Sequence, residues 1–200
     1  MPIWAWILIA VAVVALVVGA YAALTRRRTA QLQDRFGPEY DRTLERRGGR
    51  RDAEAELSTR VERREQLDIR PLSPESRERY LGAWRDVQAK FVDDPPGAVT
   101  DADGLVGSVM KERGYPLDDF EQRADDISVD HPQVVERYRS AHGIAQKNAQ
   151  GQATTEDLRQ AIQHYRALFD DLLEPAEDQP LQREDTEATD EAREERAARP

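Results

Sequence analysis

The sequence predicts an all-α protein carried by one amino-terminal transmembrane helix. Residues 3–24 contain no charged side chain and are followed at once by Arg26, Arg27 and Arg28. Downstream, apolar residues recur at steps of three and four, the period of a helix. No stretch alternates apolar with polar at the two-residue period of a strand, and no tight hairpin signal joins two β-branched runs.

At about 1.5 Å per residue the first run reaches roughly 33 Å, enough to cross a hydrocarbon core of about 30 Å. Residues 1–25 are therefore expected to be a single-pass anchor, with Trp4 and Trp6 near one interface and Tyr21 near the other. Positive charge favours the cytoplasmic side, so Arg26, Arg27 and Arg28 place the body of the chain in the cytoplasm, at the inner (plasma) membrane, and the short amino terminus outside. A cleaved signal peptide is the competing reading. Ala20-Tyr21-Ala22 resembles a small-x-small cleavage site, and cleavage would make the protein a secreted one. Against it, no Lys or Arg precedes the apolar run, which is longer than the usual signal core. Ala15, Gly19 and Ala23 recur every fourth residue, a face small enough for a homodimer contact between two such helices, or simply a lipid-facing surface.

Residues 26–70 read as a charged helical stalk beside the membrane. Leu32, Phe36, Tyr40 and Leu44 each lie one turn from the next, and Leu57 and Val61 repeat the step after Gly48-Gly49. So thin a stripe cannot make its own core, and its four-residue period drifts too fast for a long left-handed coiled coil. The stalk is expected to fold back on the domain that follows, or to pair with a second copy over a few turns.

Residues 71–174 read as a bundle of four longer helices and a short one. Ser73 before Pro74 is an N-cap followed by a first-turn proline, and Tyr80, Trp84, Val87 and Phe91 then mark a buried face. Asp93-Asp94-Pro95-Pro96-Gly97 ends that helix. Thr100 with Asp103 approximates a capping box for a second, bearing Leu105, Val106, Val109 and Met110, which Gly114 stops. Leu117, Phe120, Ala124 and Ile127 mark the short helix. Asp130 with Pro132 is read as the start of the next, carrying Val134, Val135, Tyr138, Ala141 and Ala145. Thr154 and Asp157 cap a last helix with Leu158, Ile162, Tyr165, Leu168, Phe169 and Leu172.

Residues 175–200 hold almost no large apolar side chain, so composition predicts a disordered acidic tail. Charge is segregated along the chain. Between Arg26 and Arg64 there are 12 arginines against 8 acids, and from Glu174 onward 10 acids against 4 arginines. The first surplus favours anionic lipid, and the tail suits a basic partner. An overall charge of −10 with no basic stripe free of interleaved acids argues against a nucleic-acid partner.

With no cysteine, thiolate metal sites, disulfides and cysteine nucleophiles are excluded. The three histidines, His131, His142 and His164, lack the one-turn spacing that would put two of them on one metal, and no HExxH occurs. Asp101, Asp103 and Glu112 imitate positions one, three and twelve of a calcium loop, but Val106 stands where glycine is needed and Leu105 at a ligand position. The acid pairs Asp93-Asp94, Asp118-Asp119, Asp125-Asp126 and Asp170-Asp171 read as solvated helix ends, because neighbouring helical residues point about 100° apart. No phosphate-binding glycine loop and no GxSxG elbow is present. No cofactor or catalytic residue is therefore named. The one arrangement left to consider is a pocket between bundle helices lined by Trp84, Tyr138, His142, His164 and Tyr165, against the plainer reading of these aromatics as core.

The segments RFGPEYDRTLE (35–45), FVDDP (91–95), RGYPLDDFEQRADDISVDHPQVVERYRSAH (113–142) and TEDLRQAIQHYRALFDDLLE (155–174) resemble an uncharacterised family of bacterial proteins with one amino-terminal span, often from GC-rich actinobacteria. The resemblance covers about Arg35 to Glu174 and implies a membrane-anchored helical protein, without an activity, ligand or catalytic residue. The expected function is a non-enzymatic interaction or scaffold protein that binds an unidentified protein partner near the inner membrane face. A ligand-binding or enzymatic domain built on the aromatic pocket is the alternative.

Overall fold

A computed structural model describes residues 3–174, except for the side chains at 3, 5–12, 14 and 21. Among the described residues it contains eight helices and no strand: α1 (Ile3–Phe36), α2 (Pro38–Arg47), α3 (Arg50–Glu65), α4 (Pro74–Asp93), α5 (Pro95–Arg113), α6 (Phe120–Asp130), α7 (Val135–Ala149) and α8 (Thr155–Leu173). The all-α reading holds. Among the described residues no helix is long and apolar enough to cross a membrane. Half of the side chains in the run assigned to the span lie outside the described residues, as does the whole of the tail assigned to 175–200.

α1 runs unbroken from the apolar run into the stalk, so residue 25 is no structural boundary. Gly37, with φ +46°, ends it, and Pro38 opens α2. Gly48 at φ +71° closes α2 in the left-handed conformation, its N–H returning to the Leu44 carbonyl.

In the bundle, the Ser73 hydroxyl caps α4 by accepting from the Ser76 N–H. Gly114 ends α5 at φ +102°, and a Cβ there would lie 2.3 Å from the Asp68 carbonyl oxygen. The loop before α4 is thus seated on the end of α5, where the Arg70 N–H also donates to the Arg113 carbonyl. Thr154 and Asp157 form a reciprocal capping box at the start of α8. Thr154→Ala is expected to cost about 1 kcal/mol, read as a lower denaturation midpoint with an unchanged slope.

Two helix starts differ from the sequence reading. α5 begins at Pro95, not at Thr100, because Asp94 accepts from the Gly97 N–H and Pro95-Pro96 fill the first turn, where no N–H is needed. Thr100 lies inside the helix and donates to the Pro96 carbonyl. Asp130 is the last residue of α6 rather than the cap of the next helix. Pro132 lies in the turn, and α7 starts only at Val135.

α5 packs on α4, α7 and α8, and α7 lies along α8. Tyr80, Trp84, Val99, Val106, Met110, Ile127, Tyr138, Tyr165, Leu168 and Phe169 fill the core between them. A second small cluster, Leu32, Phe36, Tyr40, Leu57 and Val129, with Leu44 and Val61 against it, joins α1–α3 to α6. The stalk therefore folds back on the bundle, one of its two expected outcomes.

Candidate functional site

The stalk docks through charge as much as through apolar packing. Glu39, in the first turn of α2, is 3% exposed and receives Arg60 Nη1 at 2.8 Å and Arg139 at 2.7 and 2.9 Å. Arg60, equally buried, also donates to Ser128 Oγ at 3.1 Å and pairs with Asp125 at 2.9 Å and with Glu56. Burial alone would raise the Glu39 carboxyl. The hydrogen bonds and charges of Arg139 and Arg60 outweigh that and hold it below the usual carboxylate range. Asp125 and Asp126 are raised instead, because desolvation exceeds the help of Arg60 and Arg139 at the first and of Gln122 and Arg63 at the second. This overturns the reading of Asp125-Asp126 as a solvated helix end, since α3 covers α6 and leaves Asp126 fully buried.

Of the five residues proposed to line a pocket, two, Tyr165 and His142, meet at one carboxylate, and Tyr138 packs against Tyr165 beside them. Asp103 on α5 accepts from the Tyr165 hydroxyl of α8 at 2.7 Å, and His142 Nδ1 of α7 stands 3.9 Å away. Burial pushes Asp103 up, but His142 and Tyr165 more than offset it, so the carboxylate is held below its usual range. The His142 ring stacks on Phe120 with centroids 3.7 Å apart. Tyr138 meets Tyr165 edge to face at 6.4 Å and accepts from Arg123 at 3.1 Å. Desolvation pushes the Tyr138 phenol up to about 12 and the Tyr165 phenol further still, so both stay protonated donors at neutral pH. This geometry ties four helices together through buried hydroxyls and stacked rings. Trp84 lies apart, stacked on Phe169 at 4.8 Å. His164, half-buried in the middle of α8, is shifted down by desolvation and then by the charge of Arg137.

No protein-family model, curated protein or solved structure matches the chain.

The calcium-loop imitation dissolves along α5. Asp101 pairs with Lys90 at 2.7 Å, Asp103 with Tyr165, and Glu112 with Arg79 at 2.7 Å. Among the described residues no three His, Asp or Glu side chains gather to hold a metal ion. Sequence reasoning missed the second buried cluster, around His131, which is 2% exposed. His131 Nδ1 bonds Asp171, and its Nε2 lies 3.4 Å from Arg113 Nη1. Arg113 in turn donates to the Leu172 carbonyl at 2.9 Å, so the group pins the end of α8 against α5. Arg26, Arg27 and Arg28 are exposed on α1, as are Ala15, Gly19 and Ala23, and nothing lies within 4 Å of a Cβ placed on Gly19.

Proposed function

We propose that this protein is a single-pass membrane protein of the non-enzymatic interaction or scaffold type, which holds its helical bundle close to the inner membrane face. One observation carries the reading. Along one unbroken helix, Leu32 and Phe36 are buried by the stalk and bundle, whereas Leu16, Val17, Val18 and Leu24 are 60–74% exposed. An exposed apolar surface of that kind calls for a cover, and an uncharged run of this length fits a bilayer. Arg26, Arg27 and Arg28 orient it with the bundle on the cytoplasmic side and the amino terminus outside. The charge pattern and the resemblance over Arg35 to Glu174 agree with the same reading. The acidic residues after Glu174 would recruit a basic protein partner, and Ala15, Gly19 and Ala23 would support a homodimer within the membrane.

Reporter fusions at Pro200, with alkaline extraction of membranes, test this. The expected result is retention in the alkaline-washed pellet, an active cytoplasmic reporter and an inactive exported one. Release into the wash would overturn the anchor, and the opposite reporter pattern would overturn the orientation.

A further inference from the structure

The turn between α2 and α3 reads Arg46-Arg47-Gly48-Gly49-Arg50-Arg51, a basic run interrupted only by its two glycines. Cross-contacts fix where this turn lies. Thr29 Oγ1 donates to Glu54 at 2.7 Å and Arg28 to Ser58 at 2.7 Å, whereas at the other end Phe36 shares a buried cluster with Leu57 and Val129, and Glu39 meets Arg60. α3 therefore runs in the same direction as α1. α2 runs against α3, because Glu39 meets Arg60 while Arg46 and Arg47 meet Glu56. The turn at Gly48-Gly49 consequently returns toward the apolar half of α1.

From Glu54 back to Arg50 is one helical turn, about 6 Å, which brings Arg50 level with Thr25 and Arg26. The Glu54 Oε1 that accepts the Thr29 hydroxyl also lies 3.9 Å from Arg50 Nε, which ties the two helices together at this level. Arg46 and Arg47 share Glu56, so their charge is partly spent within the fold. Arg26, Arg27 and Arg51 are exposed and take part in no ion pair among the described residues, and Arg50 is 66% exposed. Asp52 is the only acid between Arg46 and Ala53.

We propose that Arg26 and Arg27 of α1, together with Arg50 and Arg51 of the α2–α3 turn, form a basic collar that binds anionic lipid head groups. The inference rests on the membrane-anchored reading and adds to it a second contact, distant in sequence from the span, that sets how the bundle sits on the bilayer. Charge complementarity and continuity with the end of the apolar run name the occupant. Clustered arginines beside a span are attracted by an anionic leaflet and screened by salt.

The chain has no cysteine, so a single label can be placed in the full-length protein. Gly49 suits it, being extended at φ −160°, with only Asp52 Oδ2, at 3.9 Å, near a Cβ built there. The Gly49→Cys protein, carrying a fluorophore, is reconstituted in vesicles containing a head-group quencher, either of phosphatidylcholine alone or with phosphatidylglycerol. We expect stronger quenching on the anionic vesicles, falling at high salt and mostly lost in Arg50→Gln/Arg51→Gln. Because both side chains are exposed, that variant should melt like the parent. Equal quenching on the two vesicle types, or quenching unchanged by the variant, would overturn the collar. Displacement by soluble glycerol phosphate would overturn it too, in favour of a free-phosphate site. Failure to float with neutral vesicles after an alkaline wash would sink the anchor alone. In that case flotation with anionic vesicles only still supports the collar, and flotation with neither overturns it.

Discussion

Arg60→Ala is expected to lower the free energy that holds the stalk on the bundle by about 3–5 kcal/mol, the usual cost of removing one partner from a buried ion pair. The guanidinium is 4% exposed and serves Glu39, Glu56, Asp125 and Ser128 together, so its loss leaves several buried acceptors short of a donor. The loss should be local. Amide exchange is expected to quicken across Pro38–Glu65 and to change little in α5 and α8, whose core contacts do not involve Arg60. Uniform quickening, or none, would mean that the network is not what docks the stalk. The double variant Glu39→Gln/Arg60→Met should cost less than the two single changes added together, because Arg139 keeps Asp125 at 3.3 Å and Glu136 at 3.7 Å.

Acid should remove the part of this interface that Glu39 supplies. The folded pKa of Glu39 lies below its ordinary value of 4.5, so its contribution is complete above that pH and disappears as the pH falls through the folded value. Asp125 and Asp126 work in the opposite sense. Their folded values lie above 3.8, so their contribution is complete below that pH and is lost as the pH rises through the raised values. Melting curves of the parent and Glu39→Gln should therefore differ most above about pH 4.5, with the parent the more stable, begin to approach each other below that pH, and meet only once the pH has fallen past the lowered folded value.

Local chemistry made the helix boundaries legible wherever one signal stood alone. Ser73-Pro74, Gly114 and the Thr154–Asp157 box fall where the sequence puts them, since each satisfies orphan backbone groups within one turn. At α5 the sequence reading takes Asp93-Asp94-Pro95-Pro96-Gly97 only as the end of the preceding helix and places the start at Thr100, whereas Asp94 followed by two prolines both ends one helix and caps the next. The stalk's buried charges were less legible, because an isolated Arg or Glu reads as exposed until its partners are known. Register held a hint. Arg60 stands three residues after Leu57 and one before Val61, on the stripe that is buried, and Glu39 immediately precedes Tyr40. Their partners, Asp125 and Arg139, come from elements far along the chain, and no local pattern could have supplied them.

Phe169→Ala is expected to cost about 3–5 kcal/mol of bundle stability and to lower the melting temperature accordingly. The ring is fully buried and stacks on Trp84 at 4.8 Å and 23°, so truncation removes both its own transfer energy and a face of packing from the indole. Trp84→Phe makes the contrast. The indole N–H is buried without a partner, so removing it relieves an unpaired donor and should offset part of the lost volume, keeping the change below about 1.5 kcal/mol. A bundle whose aromatics fill its interior will show this large and small pair of effects. Were the same rings arranged around a ligand, truncation would enlarge a space already present and leave the melting temperature nearly unchanged. That outcome would return Trp84, Tyr138, His142, His164 and Tyr165 to candidacy as a pocket, and the search for partners would move from the surface of the bundle to its interior.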